Sequence, residues 1–205
     1  LAYVGVKAGM VIVVADDPSL HSSQNEQDNR YYAKMALVPM LEPSTPEEAR
    51  RMTLEALDLS EKYQIPCMLR TTTRVNHCRG PVSLGDLPSD VPKGSFTKDP
   101  FNLVVVPMVG RKLRVALLEK LARLQAEAER SPLNETVGQG KWGIVTSGVS
   151  YLYVRDAVRE LGIEDRVKIL KLGFSFPHPK ALIADFLNGL ERVLVALTEE
   201  EKGNG

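Results

Sequence analysis

The residues best suited to chemistry lie in one polar run, His21-Ser22-Ser23-Gln24-Asn25-Glu26-Gln27-Asp28-Asn29-Arg30. Its amides, hydroxyls, carboxylates and guanidinium can both donate and accept hydrogen bonds to a polar ligand. A second cluster, TTTRVNHCRG from Thr71 to Gly80, gathers Arg74, His77 and Arg79, with Arg70 just before it. Positive charge of that density suits a carboxylate or a phosphate. Each cluster also has a plain structural reading. The run can be a solvated loop whose Asp, Ser and Asn side chains bond their own backbone, and the cluster a turn whose His77 bonds a carbonyl.

What precedes each cluster decides how it can be held. Met10 to Ala15 is a continuous valine-rich run, the pattern of a strand buried on both faces. Asp16-Asp17-Pro18 breaks it, so the polar run leaves the carboxyl end of a buried strand, where open α/β sheets place their ligands. Asp28 to Met35 reads as a short helix and Leu37–Leu41 as a brief strand. Thr45 then predicts a helix cap, with Pro46 at the first helical position and Glu48 completing a capping box. Ala49, Met52, Ala56, Leu59 and Tyr63 follow at helical spacing, with Leu57 widening the stripe. Ile65-Pro66 ends that helix and Cys67–Thr72 predicts the next parallel strand, which delivers the second cluster at its carboxyl end.

The flanking segments are less regular. LAYVGVKAG before the first strand reads as the last turns of a helix closed by Gly9, so the chain has the look of a fragment. Pro81 to Asp99 is the one linker candidate. Phe101–Pro107 predicts a strand, and Lys112 to Arg130 a long helix with Leu113, Leu117, Leu121 and Leu124 along one side. Gly138-Gln139-Gly140 reads as a flexible join. A second unit follows: strand Trp142–Thr146, helix Val149–Leu161, strand Val167–Leu172, a turn at Phe176-Pro177-His178-Pro179, helix Lys180–Leu187 and strand Arg192–Leu197. The expected fold is α/β, with two parallel-sheet units split between about Pro81 and Gly140. The tail 199–205 is expected to fray.

Composition narrows the function classes. The chain has 205 residues, 26 Lys plus Arg against 26 Asp plus Glu, and two cysteines. A net charge near zero makes no electrostatic case for nucleic acid or an anionic membrane as partner. No apolar run approaches the roughly 20 residues that span a bilayer. Cys67 and Cys78 are too few and too far apart for a zinc or iron–sulfur ligand set. They fit a reducing, cytoplasmic setting, with Cys67 a small buried hydrophobe. Neither strand-to-helix turn carries G-x-G-x-x-G, which argues against a nicotinamide site, and Gly143 to Gly148 is not a P-loop.

The wording of several stretches is specific. AYVGVKAGMVIVVADDPSLHSSQNEQDNRYYA, LEPSTPEEA, IPCMLRTTTRVNHCRG, WGIVTSGVSYLYVRDAV and ILKLGFSFPHP together resemble the alpha subunits of the indolepyruvate:ferredoxin oxidoreductases. These belong to the thiamine-diphosphate 2-oxoacid:ferredoxin oxidoreductases. The likeness covers nearly the whole chain and weakens near Ser83–Lys98 and after Leu197.

The resemblance implies a partial thiamine-diphosphate pyrimidine-binding domain over 1–80, a linker and long helix over 81–140, and a transketolase carboxyl-terminal-like domain over 141–198. It implies an enzyme that oxidatively decarboxylates aryl 2-oxo acids such as indolepyruvate to acyl-coenzyme A and passes electrons to ferredoxin. Thiamine diphosphate with magnesium, and [4Fe-4S] clusters, would serve the complete enzyme, alongside the remainder of the alpha subunit and a smaller beta subunit. The family's catalytic glutamate matches no residue here. Its Gly-Asp-Gly diphosphate signature is absent too, since Gly85-Asp86-Leu87 lacks the second glycine. This piece alone is therefore expected to be inactive, with no metal site of its own. Ser22, Ser23, Gln24 and Asn25 are the candidate cofactor contacts and Arg74 the candidate substrate-anion contact; no catalytic residue is assigned. The alternative is a non-catalytic α/β module that serves subunit assembly.

Overall fold

The computed structural model describes residues 1–86 and 94–197. Part of the linker candidate (87–93) and the tail expected to fray (199–205) lie outside the described residues. Two four-stranded sheets organise the chain, each with helices packed on it.

The first sheet begins with β1 (Val11–Asp16) and continues through α1 (Arg30–Ala36), β2 (Met40–Leu41), α2 (Pro46–Tyr63) and β3 (Cys67–Thr72), after which α3 (Thr73–Asn76) closes the turn. β3 lies centrally, parallel to β1 on one side and to β2 on the other. All six of its residues are buried, the polar Arg70, Thr71 and Thr72 as well as the apolar Cys67, Met68 and Leu69. The start of α2 follows from its capping residues: Thr45 Oγ1 accepts from the Glu48 backbone N–H at 3.2 Å, with Pro46 at the first position. Glu48 closes the box one residue earlier than expected, accepting from the Ser44 N–H at 2.8 Å. Met52, Ala56, Leu59 and Tyr63 pack inward, whereas Leu57 faces solvent and does not widen the stripe. β2 is shorter than its apolar run because Leu37 takes a left-handed backbone and Pro39 has no N–H for the ladder.

The second unit carries α4 (Pro100–Leu103), α5 (Pro107–Ala128), β4 (Asn134–Gly138), β5 (Trp142–Ser147), α6 (Ser150–Glu160), β6 (Val167–Leu172), β7 (Phe174–Phe176), α7 (Lys180–Leu187) and β8 (Arg192–Ala196). Its sheet runs β4-β6-β5-β8, with β5 parallel to β6 and β8, and β4 antiparallel at the edge. β7 leaves this unit and joins the first sheet, antiparallel to β2, giving the order β1-β3-β2-β7. Helix α5 also packs on the first sheet, placing Leu117, Leu124 and Ala128 in the same core as Met40, Leu69 and Phe174.

The α/β class and the dominance of parallel pairing are as expected, and five local expectations are corrected. The valine-rich β1 is not buried on both faces: it is an edge strand of the first sheet, with Val13 64 % exposed and only Asp16 fully buried. Leu1–Gly9 forms turns and no helix. Phe101–Pro107 is not a strand: Pro100 starts the short α4, and the following Val104, Val105 and Val106 stay exposed with no strand to pair. Asn134–Gly138 is a strand. The Gly138-Gln139-Gly140 join is tight, since a Cβ on Gly140 would lie 1.8 Å from the Arg166 carbonyl carbon.

Candidate functional site

The parallel register brings the two polar clusters side by side. Asp16, the last residue of β1, pairs with Thr72, the last of β3, so the loop after one strand and the turn after the other leave the same sheet edge together. Two successive aspartates then shape the loop. Asp17 Oδ2 accepts the backbone N–H groups of Ser22 and Ser23, both at 2.7 Å, and its Oδ1 accepts from Thr73 Oγ1 at 2.5 Å. The Thr73 hydroxyl, followed by those two amides, holds the Asp17 carboxyl well below the usual carboxylate range. Asp16 clamps the loop's far end, accepting from the Asn29 N–H at 2.8 Å and from the Asn29 side-chain amide.

Within that frame the candidate residues divide. Ser22 and Ser23 are fixed through their backbones, and Ser22 Oγ reaches Asp17 only at 3.5 Å. Gln24 and Asn25 are exposed at the crest, where Asn25 accepts from the Gln27 side-chain amide through both its backbone carbonyl and Oδ1. Arg74 is exposed on α3, one residue after Thr73, with no hydrogen-bond or ion-pair partner among the described residues. His77 and Arg79 are exposed on the same turn.

Arg70 differs from the other cations. It is 2 % exposed, with Nε 2.6 Å from Asp16 Oδ2, Nη1 2.7 Å from Glu42 Oε2 and Nη2 3.8 Å from Asp28 Oδ1. It is therefore neutralised inside the protein and adds nothing to the exposed positive charge. For Asp28, burial opposes ionisation, but bonds from Arg30, with the charges of Arg30 and Arg70, outweigh it and hold the carboxyl low. Asp16, Asp17 and Glu42 are structural determinants that sequence reasoning missed. The available signal was an acidic pair ending a valine-rich strand, which needs a buried cation close by.

The carboxyl ends of the two sheets meet at this network. Ser147, the last residue of β5, donates to Glu42 Oε2 at 3.3 Å, and Ser44 Oγ donates to the Gly148 carbonyl at 2.7 Å. Gly148 turns at φ +52° beside Glu42. A cavity of about 250 Å³ opens there, lined by Tyr31, Lys34, Glu42, Ser147, Phe176 and His178 among others. A larger hollow of about 510 Å³ lies by the amino-terminal turn, Gln64 and α5, away from these strand ends. Among the described residues no group of three or more His, Cys, Asp or Glu side chains could hold a metal ion. Nor is any helix there long and apolar enough to cross a membrane.

Comparison with known proteins supplies the family context. The chain is 50 % identical over 198 residues to indolepyruvate oxidoreductase subunit IorA of Methanothermobacter marburgensis, covering 95 % of this chain. It is 50 % identical over 199 residues to that subunit of Thermococcus kodakarensis, and 41 % over 196 to that of Archaeoglobus fulgidus. The chain resembles IorA along nearly its whole length. It spans about a third of these relatives' own length, 32 % in the first case. No family model matches. Among solved structures, a 2-oxoglutarate:ferredoxin oxidoreductase from Magnetococcus marinus superposes with TM-score 0.64 at 15 % identity, covering 95 % of this chain and 42 % of that one. A split-gene transketolase gives 0.51 at 13 % identity, covering 91 % and 47 %. The IorA likeness bears out the resemblance read from the sequence, and the two structures share its α/β fold.

Proposed function

We propose that this chain forms part of the cofactor and substrate cleft of a thiamine-diphosphate-dependent oxidoreductase that decarboxylates aryl 2-oxo acids such as indolepyruvate. In that reading the products are acyl-coenzyme A, carbon dioxide and reduced ferredoxin. The observation that carries it is the doubly anchored loop. Asp17 and Asp16 hold residues 17–29 in one shape at the carboxyl ends of two parallel strands, with Gln24 and Asn25 exposed on that loop and Arg74 exposed on the turn that Thr73 ties to Asp17.

The side chains fit one part of the cofactor. A primary amide both donates and accepts, as does the edge of an aminopyrimidine ring, so Gln24 and Asn25, with Ser22 and Ser23, suit the pyrimidine wall. Arg74 suits the carboxylate of an oxo acid. The diphosphate and its magnesium find no acidic ligand group among the described residues. Those sites and the iron–sulfur clusters belong, on this proposal, to the rest of the alpha subunit, which pairs with a smaller beta subunit in the cytoplasm. Bound thiamine diphosphate supplies the carbanion chemistry of the decarboxylation. This chain's residues orient the ring and the oxo acid, and the chain alone is inactive.

The test is Gln24→Ala and Asn25→Ala in the full-length enzyme reconstituted with its partner subunit. Loss of a contact made chiefly in the transition state lowers kcat about ten- to a hundred-fold with an unchanged Tm. Wild-type kcat and KM in both variants would instead favour the assembly-module reading.

A further inference from the structure

The second unit supplies none of the candidate cofactor contacts, yet a chain of buried hydrogen bonds joins it to the polar loop. The chain starts at Ser147, whose hydroxyl donates to Glu42 Oε2 at 3.3 Å. The same oxygen accepts Arg70 Nη1 at 2.7 Å, and Arg70 Nε donates to Asp16 Oδ2 at 2.6 Å. Asp16 Oδ2 in turn accepts the Asn29 N–H at 2.8 Å, which closes the loop. Glu42, Arg70, Asp16 and Ser147 are all at most 3 % exposed, so water does not screen these contacts.

We infer that Glu42 and Arg70 are positioning residues through which the second unit sets the shape of the loop. Arg70 suits this because a guanidinium is a rigid planar fork. With one side held by Glu42, its Nε edge can meet Asp16 in only one orientation. Asp16 shares the oxygen that meets Arg70 with the Asn29 amide, so a shift of the fork moves the loop's closing residue. Glu42 cannot relax away from Ser147, since the Glu42 N–H donates to the Gly173 carbonyl at 2.8 Å and Ser44 is bonded to Gly148. Glu42 is thus gripped by both units. Its other carboxylate oxygen, Oε1, is buried without a partner among the described residues, so the hydrogen bonds that place the carboxylate all fall on Oε2. The link makes the transketolase-like unit a determinant of loop geometry as well as a packing partner.

The importance of loop shape to turnover rests on the function proposed above, but the shape itself can be read separately. In the full-length protein, amide hydrogen exchange over peptides covering 17–29 is compared between wild type, Ser147→Ala and Glu42→Gln. Thr146→Val is the control, because it alters the neighbouring β5 residue, whose hydroxyl has no partner among the described residues. The expected result is roughly ten-fold faster exchange in 17–29 for both relay variants. Peptides of α6 and β6 should stay unchanged, as should everything in Thr146→Val. Ser147→Thr keeps the hydroxyl and should restore slow exchange. Should Glu42→Gln fail to fold, the Ser147→Ala and Ser147→Thr pair decides. Unchanged exchange in 17–29, or an equal rise across both sheets, overturns the inference. Because exchange reports loop shape whether or not a cofactor binds there, this result and the kinetics of Gln24→Ala and Asn25→Ala can fail independently.

Discussion

The ammonium of Lys171, on β6 of the second sheet, is ion-paired with Glu48 in the first turn of α2 and lies 4.7 Å from the centre of the Tyr151 ring. The lysine side chain is 1 % exposed and that of Glu48 16 %, so this pair crosses between the two units with its cation buried and its carboxylate partly open to water. Removing one partner of a fully buried pair costs about 3–5 kcal/mol, and here the carboxylate left behind is partly exposed and keeps its bond from the Ser44 N–H, so the low end of that range applies. Lys171→Met should therefore lower stability by about 3 kcal/mol, and Lys171→Met with Glu48→Gln should recover part of the loss. Chemical denaturation of the three variants measures this; an additive double mutant would show that the two groups are not coupled.

The same carboxylate predicts a response to acid. Burial alone would raise the Glu48 pKa from 4.5, but bonds from Lys171 and the Ser44 N–H hold it below that value. Asp17 and Asp28 are also held low. A carboxyl whose folded pKa lies below its unfolded one adds stability that is present above the unfolded value and is lost as pH falls through the folded one. The unfolding midpoint should therefore hold from pH about 7 to about 5 and fall steadily below about 4.5. Glu48→Gln should flatten that acid limb. A midpoint that is level down to pH about 3 would contradict the assignment.

The two cysteines should separate by reactivity. Cys67 is fully buried in β3, and burial, followed by the charge of Glu55, pushes its thiol up to about 12. Cys78 is exposed on the turn after α3. Since the thiolate is the reactive form, alkylation of the native protein near neutral pH should label the Cys78 peptide and spare the Cys67 peptide until denaturant is added. Peptide mass mapping reads the outcome, and equal labelling under native conditions would refute it.

Two glycines make a contrasting pair. A Cβ on Gly140 would lie 1.8 Å from the carbonyl carbon and 2.0 Å from the oxygen of Arg166, so the backbone must move. Gly162, at φ +61°, has open space around that position. Gly140→Ala should cost about 3 kcal/mol or more by overpacking, and Gly162→Ala about 1 kcal/mol through its left-handed backbone alone. Thermal unfolding of both should rank them in that order.

The elements with strong local signals were legible in the sequence. β3 and α7 start and end at the residues expected, because apolar runs and bounding prolines act within a few positions. Thr45, Pro46 and Glu48 marked the start of α2 for the same reason. β4 was not legible: Asn134–Gly138 carries one large apolar residue, Val137, and is a strand only because β6 offers its edge. β7 is three residues long and pairs with a partner that no local pattern could name. Phe101–Pro107 failed in the opposite sense, having strand-like residues and no neighbour. At the candidate site, the polar loop and its place after β1 could be read directly. The pairing of Arg70 with Asp16 and Glu42 could not, because Arg70 seemed one cation among several until the sheet placed it inside.

The return of β7 to the first sheet also bears on how the chain is made. Ser175 Oγ donates to the Met40 carbonyl across a sequence separation of 135 residues. At a ribosomal rate of about 5–20 residues per second, β2 emerges on the order of ten seconds before the strand that covers its outer edge. During synthesis that edge is an unpaired row of amides and carbonyls, open to other nascent chains. The first sheet is completed only once the second unit is largely translated, so the two halves of this polypeptide mature together.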